Sequence, residues 1–164
     1  MDTQSSIIIL GIVIAITLPF LIISFIKKRK DIKFLNHFTS LAHKEKIIIS
    51  KRDFWDHNYA IAIDNNSKKM IYSNRLKDEA SGTIIDLNEV ENCRKIIINK
   101  TQKNQNGNNH LTDRLELVFT FRNPELPEKV LEFYENPEFM PNPEECSHLD
   151  NWYQIINSNL KPKN

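Results

Sequence analysis

The stretch YAIAIDNNSKKMIYS, residues 59–73, decides the fold. Tyr59, Ile61 and Ile63 alternate with Ala60 and Ala62, the period of a β-strand. Asp64-Asn65-Asn66-Ser67 is turn chemistry, because Asn and Asp bond to nearby backbone and tolerate positive φ. Lys69 to Ser73 returns as a second strand. The segment therefore predicts an antiparallel hairpin, and the rest of the chain is read outward from it.

Downstream, strands are predicted at Gly82–Leu87, Cys93–Lys100 and 115–121. In the last of these, Leu115, Leu117, Phe119 and Phe121 alternate with Glu116, Val118 and Thr120. A short strand is predicted over Val130–Tyr134. Thr101–His110 has no apolar residue and reads as an exposed hairpin loop. The C-terminal helix is punctuated clearly. Asn142 is the expected N-cap, Pro143 takes the first helical position, and Glu145 stands three after the cap. Leu149, Trp152, Tyr153, Ile156 and Leu160 then trace one apolar face. Phe139 and Met140, between two prolines, read as apolar loop residues that seal the core.

Upstream, Ile7 to Ile26 holds no charge and predicts a transmembrane helix of about 30 Å. A cleaved signal peptide is the rival, but no cation precedes the run and four follow it: Lys27, Lys28, Arg29 and Lys30. Those cations predict an N-terminus outside and a C-terminal domain in the cytoplasm, at the inner (plasma) membrane. Asp31–Lys46 places Ile32, Leu35, Phe38, Leu41 and Ala42 at helical spacing, with Phe34 widening the stripe. The expected organisation is a tail over 1–6, a transmembrane helix over 7–26 and a basic segment with an amphipathic helix over 27–46. A β domain with its C-terminal helix follows over 47–160, then a tail over 161–164. The class is α+β.

Past residue 30 the chain carries 18 Lys and Arg against 20 Asp and Glu. This balance argues against nucleic-acid binding, which needs a broad basic face. Cys93 and Cys146 alone do not make a disulfide framework. The three glycines, Gly11, Gly82 and Gly107, form no phosphate loop, and neither Gly-x-Ser-x-Gly nor His-Glu-x-x-His occurs. Cys146-Ser147-His148 with Cys93 and His110 gives zinc-ligand types without paired spacing. No residue is assigned as catalytic, cofactor-binding or metal-ligating, and no cofactor is expected. Asp53, Asp56, His57, Asp86, Cys93, His110, Cys146 and His148 are the side chains through which a hidden activity would act. The acids of the last third, Glu125 to Glu145, read as a solvated face or a docking face for a basic partner.

The order of hairpins, sheet and one capped helix resembles the pleckstrin-homology-like barrel of bacterial proteins. The residues that carry the likeness are Lys68–Ser73, the step Thr83–Cys93, and Trp152 with Ile155 and Ile156 on the helix that plugs the barrel. The whole chain also resembles small membrane-anchored bacterial proteins. The resemblance implies a non-enzymatic binding domain. Phosphoinositide-binding members carry several cations in the first hairpin loop, where this chain has Asp64–Ser67. The expected function is therefore protein or peptide docking at the membrane. A lipid head-group sensor and an enzyme with an unrecognised site are the alternatives.

Overall fold

The computed structural model describes residues 3–77, 82–104, 107–136 and 141–160. Side chains are described outside 3–12 and 100–111. Helix α1 runs Thr3–Lys44. Strands β1 (Lys51–Trp55), β2 (Tyr59–Asp64), β3 (Lys69–Asn74) and β4 (Thr83–Asp86) form one antiparallel sheet in that order. Strands β5 (Val90–Asn104), β6 (Gly107–Phe121) and β7 (Lys129–Glu135) form a second. Helix α2 spans Pro143–Asn159.

Strand β2 is buried along its whole length. The alternation explains this: the first sheet is covered on both faces. Tyr59, Ile61 and Ile63 join Met70, Tyr72, Leu117, Phe119, Phe133 and Trp152 in the core between the sheets and α2. Ala60 and Ala62 face the other way, against Phe34, Phe38 and Ala42 of α1. Those three lie four residues apart, on one helical face. Alanines on the strand let the helix come close. Gly82 serves the same approach, since a Cβ there would lie 3.1 Å from Ile71 Cδ1 and 3.4 Å from Leu41 Cδ1. The buried stripe is turned from the predicted one: Ile32 is exposed and Phe34 is central.

α1 ends in two bonds that belong together. Ile47 N–H donates to Ala42 O at 2.9 Å and Lys46 N–H to His43 O at 3.0 Å. Lys46 has φ 57°, where glycine usually sits. Ile47 and Ala42 are both buried in the same cluster, the apolar contact that accompanies this cap.

The β2–β3 turn is held by Asp64, whose carboxylate accepts from the backbone N–H of Ile48, Asn66 and Ser67 at 3.1, 2.9 and 3.2 Å. Burial alone raises that carboxyl, but these donors together lower it below its ordinary value. Positive φ falls on Lys68 (58°), not on the asparagines. Its carbonyl is fixed there by Leu87 N–H at 2.8 Å.

Three expectations are corrected. Among the described residues no helix is long and apolar enough to cross a membrane. The expected span begins at Ile7, whose side chain lies outside those described. The apolar segment is the first part of a 42-residue helix that continues through Lys27–Lys30 onto the sheet. Second, the strands do not close into a barrel. Each sheet keeps its own ladder, with β1 and β4 at the edges of one and β5 and β7 at those of the other. The sheets are joined instead by packing around Trp152, which is fully buried. Third, the expected loop over 101–110 is mostly strand: β5 reaches Asn104 and β6 begins at Gly107. Phe139, Met140 and the 161–164 tail lie outside the described residues.

Candidate docking cleft

Three elements meet at one end of the molecule: the β1–β2 turn, the end of β7 and the start of α2. The turn residues Asp56 and His57 both have positive φ, 47° and 55°, as type I′ geometry requires and as glycine or asparagine would adopt more readily. His57 is held by its Nδ1, 2.8 Å from Asp31 Oδ2 of α1. Asp31 also accepts from Arg75 at 3.2 Å. The strained turn is thus tied to the helix behind the sheet.

Trp55 is the floor. Its ring stacks on Tyr59, Phe133 and His148 at centroid distances of 5.3, 4.9 and 5.3 Å. Its Nε1 donates to Phe133 O at 2.9 Å, so the indole is fixed in plane and position. Across it, His148 Nδ1 lies 2.7 Å from Asp53 Oδ2, and Trp152 Nε1 donates to the same oxygen at 3.3 Å. A carboxylate has no proton to give, so Nδ1 carries the hydrogen of this contact. Nε2 lies 3.8 Å from Glu144 Oε1.

The helix start is capped reciprocally. Asn142 Oδ1 accepts from Glu145 N–H at 2.9 Å, and Glu145 Oε2 accepts from Asn142 N–H at 2.7 Å. Burial pushes the Glu145 carboxyl up, its bond to Asn142 N–H pulls down, and the neighbouring Asp56 and Glu144 add to the rise. Two adjoining hollows of about 310 and 300 Å³ share Asp56, Asn142 and Glu145 as a common wall and are treated together as the cleft. Its lining adds His57, Glu144 and His148 on one side, and Tyr59, Tyr134 and Glu135 on the other. The cleft therefore sets several carboxylates over a packed aromatic floor, and a cleft lined by one sign of charge attracts the opposite one.

The eight polar residues singled out in the sequence divide. Asp56, His57 and His148 line this cleft, and Asp53 holds His148 from outside it. Asp86 instead closes the β4–β5 turn, accepting from Asn88 N–H at 2.9 Å. Cys93 is buried in the core, and burial pushes its thiol up to about 12. Cys146 is exposed on α2, and the His110 side chain lies outside those described. Among the described residues no three His, Cys, Asp or Glu side chains are grouped to hold a metal ion. Sequence reading did not foresee the role of Trp55 as floor or of Glu135 as wall. The chain matches no protein-family model, no curated protein and no solved structure.

Proposed function

We propose that this chain is a non-catalytic docking domain whose cleft receives a cationic segment of a protein partner. The observation that carries this reading is the pairing of Asp56 and Glu144 with the fixed aromatic floor of Trp55 and His148. Glu144 is largely exposed, at 82%, and its only ion-pair contact among the described residues is His148. A Lys or Arg side chain entering there meets carboxylates above the packed aromatic floor. The test is carbodiimide coupling of the full chain to a lysine-rich peptide, followed by mapping of the coupled carboxylates. Coupling concentrated on Asp56 and Glu144 supports the reading. Coupling spread evenly over the exposed acids contradicts it.

A separate observation favours placing this domain against a membrane surface. Val13, Ile14, Ile16, Leu18, Phe20 to Ile23, Phe25 and Ile26 are all exposed on α1, and Lys27–Lys30 follow directly. Apolar side chains beside a cation cluster suit an anionic membrane surface. Flotation of the full chain with anionic vesicles, and its loss on replacing Lys27–Lys30 by glutamine, is the outcome expected.

A further inference from the structure

We propose that the carboxyl pair Glu132–Glu135 of β7 holds one proton and gives it up when the cleft receives its cationic segment, so that docking is proton-linked. This rests on the docking reading above and adds its regulation. Glu135 lines the cleft beside Tyr134. Glu132 lies outside the cleft on the same strand.

A bulge brings the pair together. Residues three apart on a regular strand point to opposite faces. β7 pairs Glu132 with Glu116 but Tyr134 with the adjacent Leu115, so Phe133 is an extra residue. Leu131, Phe133 and Tyr134 all join the core, which leaves Glu132 and Glu135 on the other face. Glu132 is held there. Tyr72 Oη donates to its carbonyl, and Trp55 Nε1 donates to the next one, that of Phe133, at 2.9 Å. The residue is 9% exposed, and its Oε2 is buried with no hydrogen-bond partner among the described residues.

The charges around the pair do not balance. Lys77, after β3, donates to Glu132 Oε1 and stands 3.7 Å from Glu135 Oε2. Arg114 of β6 lies 3.6 Å from Glu135 Oε1 and 3.8 Å from both Glu116 Oε1 and Asp113 Oδ2. Tyr72 of β3 and Tyr59 of β2 complete the surroundings, and burial pushes both phenols up, so they stay uncharged. Four carboxylates therefore share two cations. Two carboxylates are both acceptors, so Glu132 and Glu135 attract only with a proton between them. Glu135 stands within hydrogen-bonding reach of the Glu132 carboxyl. Burial pushes that carboxyl up, the Lys77 bond pulls it down, and Glu135 pushes it further up. A proton fits here better than a metal ion, because Lys77 and Arg114 already stand among the acids. A lysine or arginine in the cleft brings positive charge to Glu135, favours the ionised pair, and sends the proton to water. By linkage, the proton weakens docking by the same factor.

The test follows the side-chain carboxyl carbon of Glu132 by NMR in the full chain, across the pH range of the folded state, with and without a lysine-rich peptide. Calorimetry in two buffers of different ionisation enthalpy counts the protons released on binding. The free chain is expected to protonate Glu132 above the ordinary value of about 4.3. Peptide should lower that midpoint by about 0.7 on the pH scale, and acid should weaken peptide binding about fivefold through it. Asp56, Glu144, Glu145, His57 and His148 also change charge in the cleft, so Glu132→Gln isolates the pair. Above the midpoint this variant should bind about fivefold more weakly than the parent and lose this proton release. A Glu132 midpoint at the ordinary value, or one that bound peptide does not move, overturns the linkage while peptide binding stands. Equal affinity and equal proton release in folded Glu132→Gln overturn it as well. Absence of peptide binding at every pH overturns the cleft reading itself, and the linkage with it.

Discussion

His148 Nδ1 lies 2.7 Å from Asp53 Oδ2, and this one contact joins α2 to β1 across 95 residues of chain. The same oxygen accepts from the indole of Trp152, which is fully buried. Asp53→Ala removes the acceptor for both of these donors and for Phe54 N–H, which bonds the other carboxylate oxygen at 2.9 Å. Leaving a buried donor unpaired costs about 1–3 kcal/mol. Urea unfolding should show a loss in that range for Asp53→Ala. The double variant with His148→Ala should then lose less than the sum of the two single changes, because the residues act as a pair.

Trp152 fills the space where the two sheets and α2 meet. Deleting a large buried aromatic typically removes ~3–5 kcal/mol, against a total of about 5–15 kcal/mol for a domain. Trp152→Ala is expected to melt far below the parent or fail to fold. A change of ~0.5 kcal/mol, the usual surface value, would show that α2 is not seated on the core.

Lys46 occupies a left-handed position at the end of α1. A side chain there is strained by about 1 kcal/mol relative to glycine. Lys46→Gly should therefore raise the unfolding free energy by about that amount. A loss of stability would mean that the Lys46 side chain makes a contact worth more than the strain.

How much of this was legible in the sequence depends on whether the signal is local. The β2–β3 hairpin, the alternation of β6 and the capping box of α2 are local, because neighbouring residues set each of them. The turn of Asp56 and His57 was not fully legible, since nothing nearby announces two positive φ values without glycine. Tertiary bonds to Asp31 hold it. The burial of Ala60 and Ala62 was invisible for a similar reason: only the arrival of α1 covers that face. The extension of β5 and β6 through Asn, Gln and Lys was missed because a polar ladder lacks the hydrophobic period that marks a strand. Asp56, His57 and His148 of the cleft, with Asp53 behind them, come from β1, the turn after it and α2, and no spacing in the chain predicts their meeting.

Asp64 and Glu132 pull the pH dependence of stability in opposite directions. The bonded Asp64 carboxyl is lowered in the folded state. Its contribution is present above the unfolded value and is lost as the pH falls through the folded one. Asp64→Asn should be less stable than the parent at neutral pH and approach it in acid. Burial raises Glu132, with Lys77 opposing and Glu135 reinforcing the shift. Its contribution is present below the unfolded value and fades as the pH rises through the folded value. The stability of Glu132→Gln relative to the parent should thus improve with rising pH. Unfolding curves across the acidic range distinguish the two, and parallel profiles for both variants would contradict the assignment.

The most direct test of the docking cleft is the affinity of the full chain for a lysine-rich peptide, measured by titration calorimetry with Asp56→Asn and Glu144→Gln combined. Both positions lie on the cleft wall, and Glu144 is largely exposed. The combined variant is expected to fold as the parent does and to bind about tenfold more weakly or worse, a loss of at least ~1.4 kcal/mol. A glutamate-rich peptide should not compete for this cleft. Unchanged affinity for the lysine-rich peptide in the folded double variant would contradict the account.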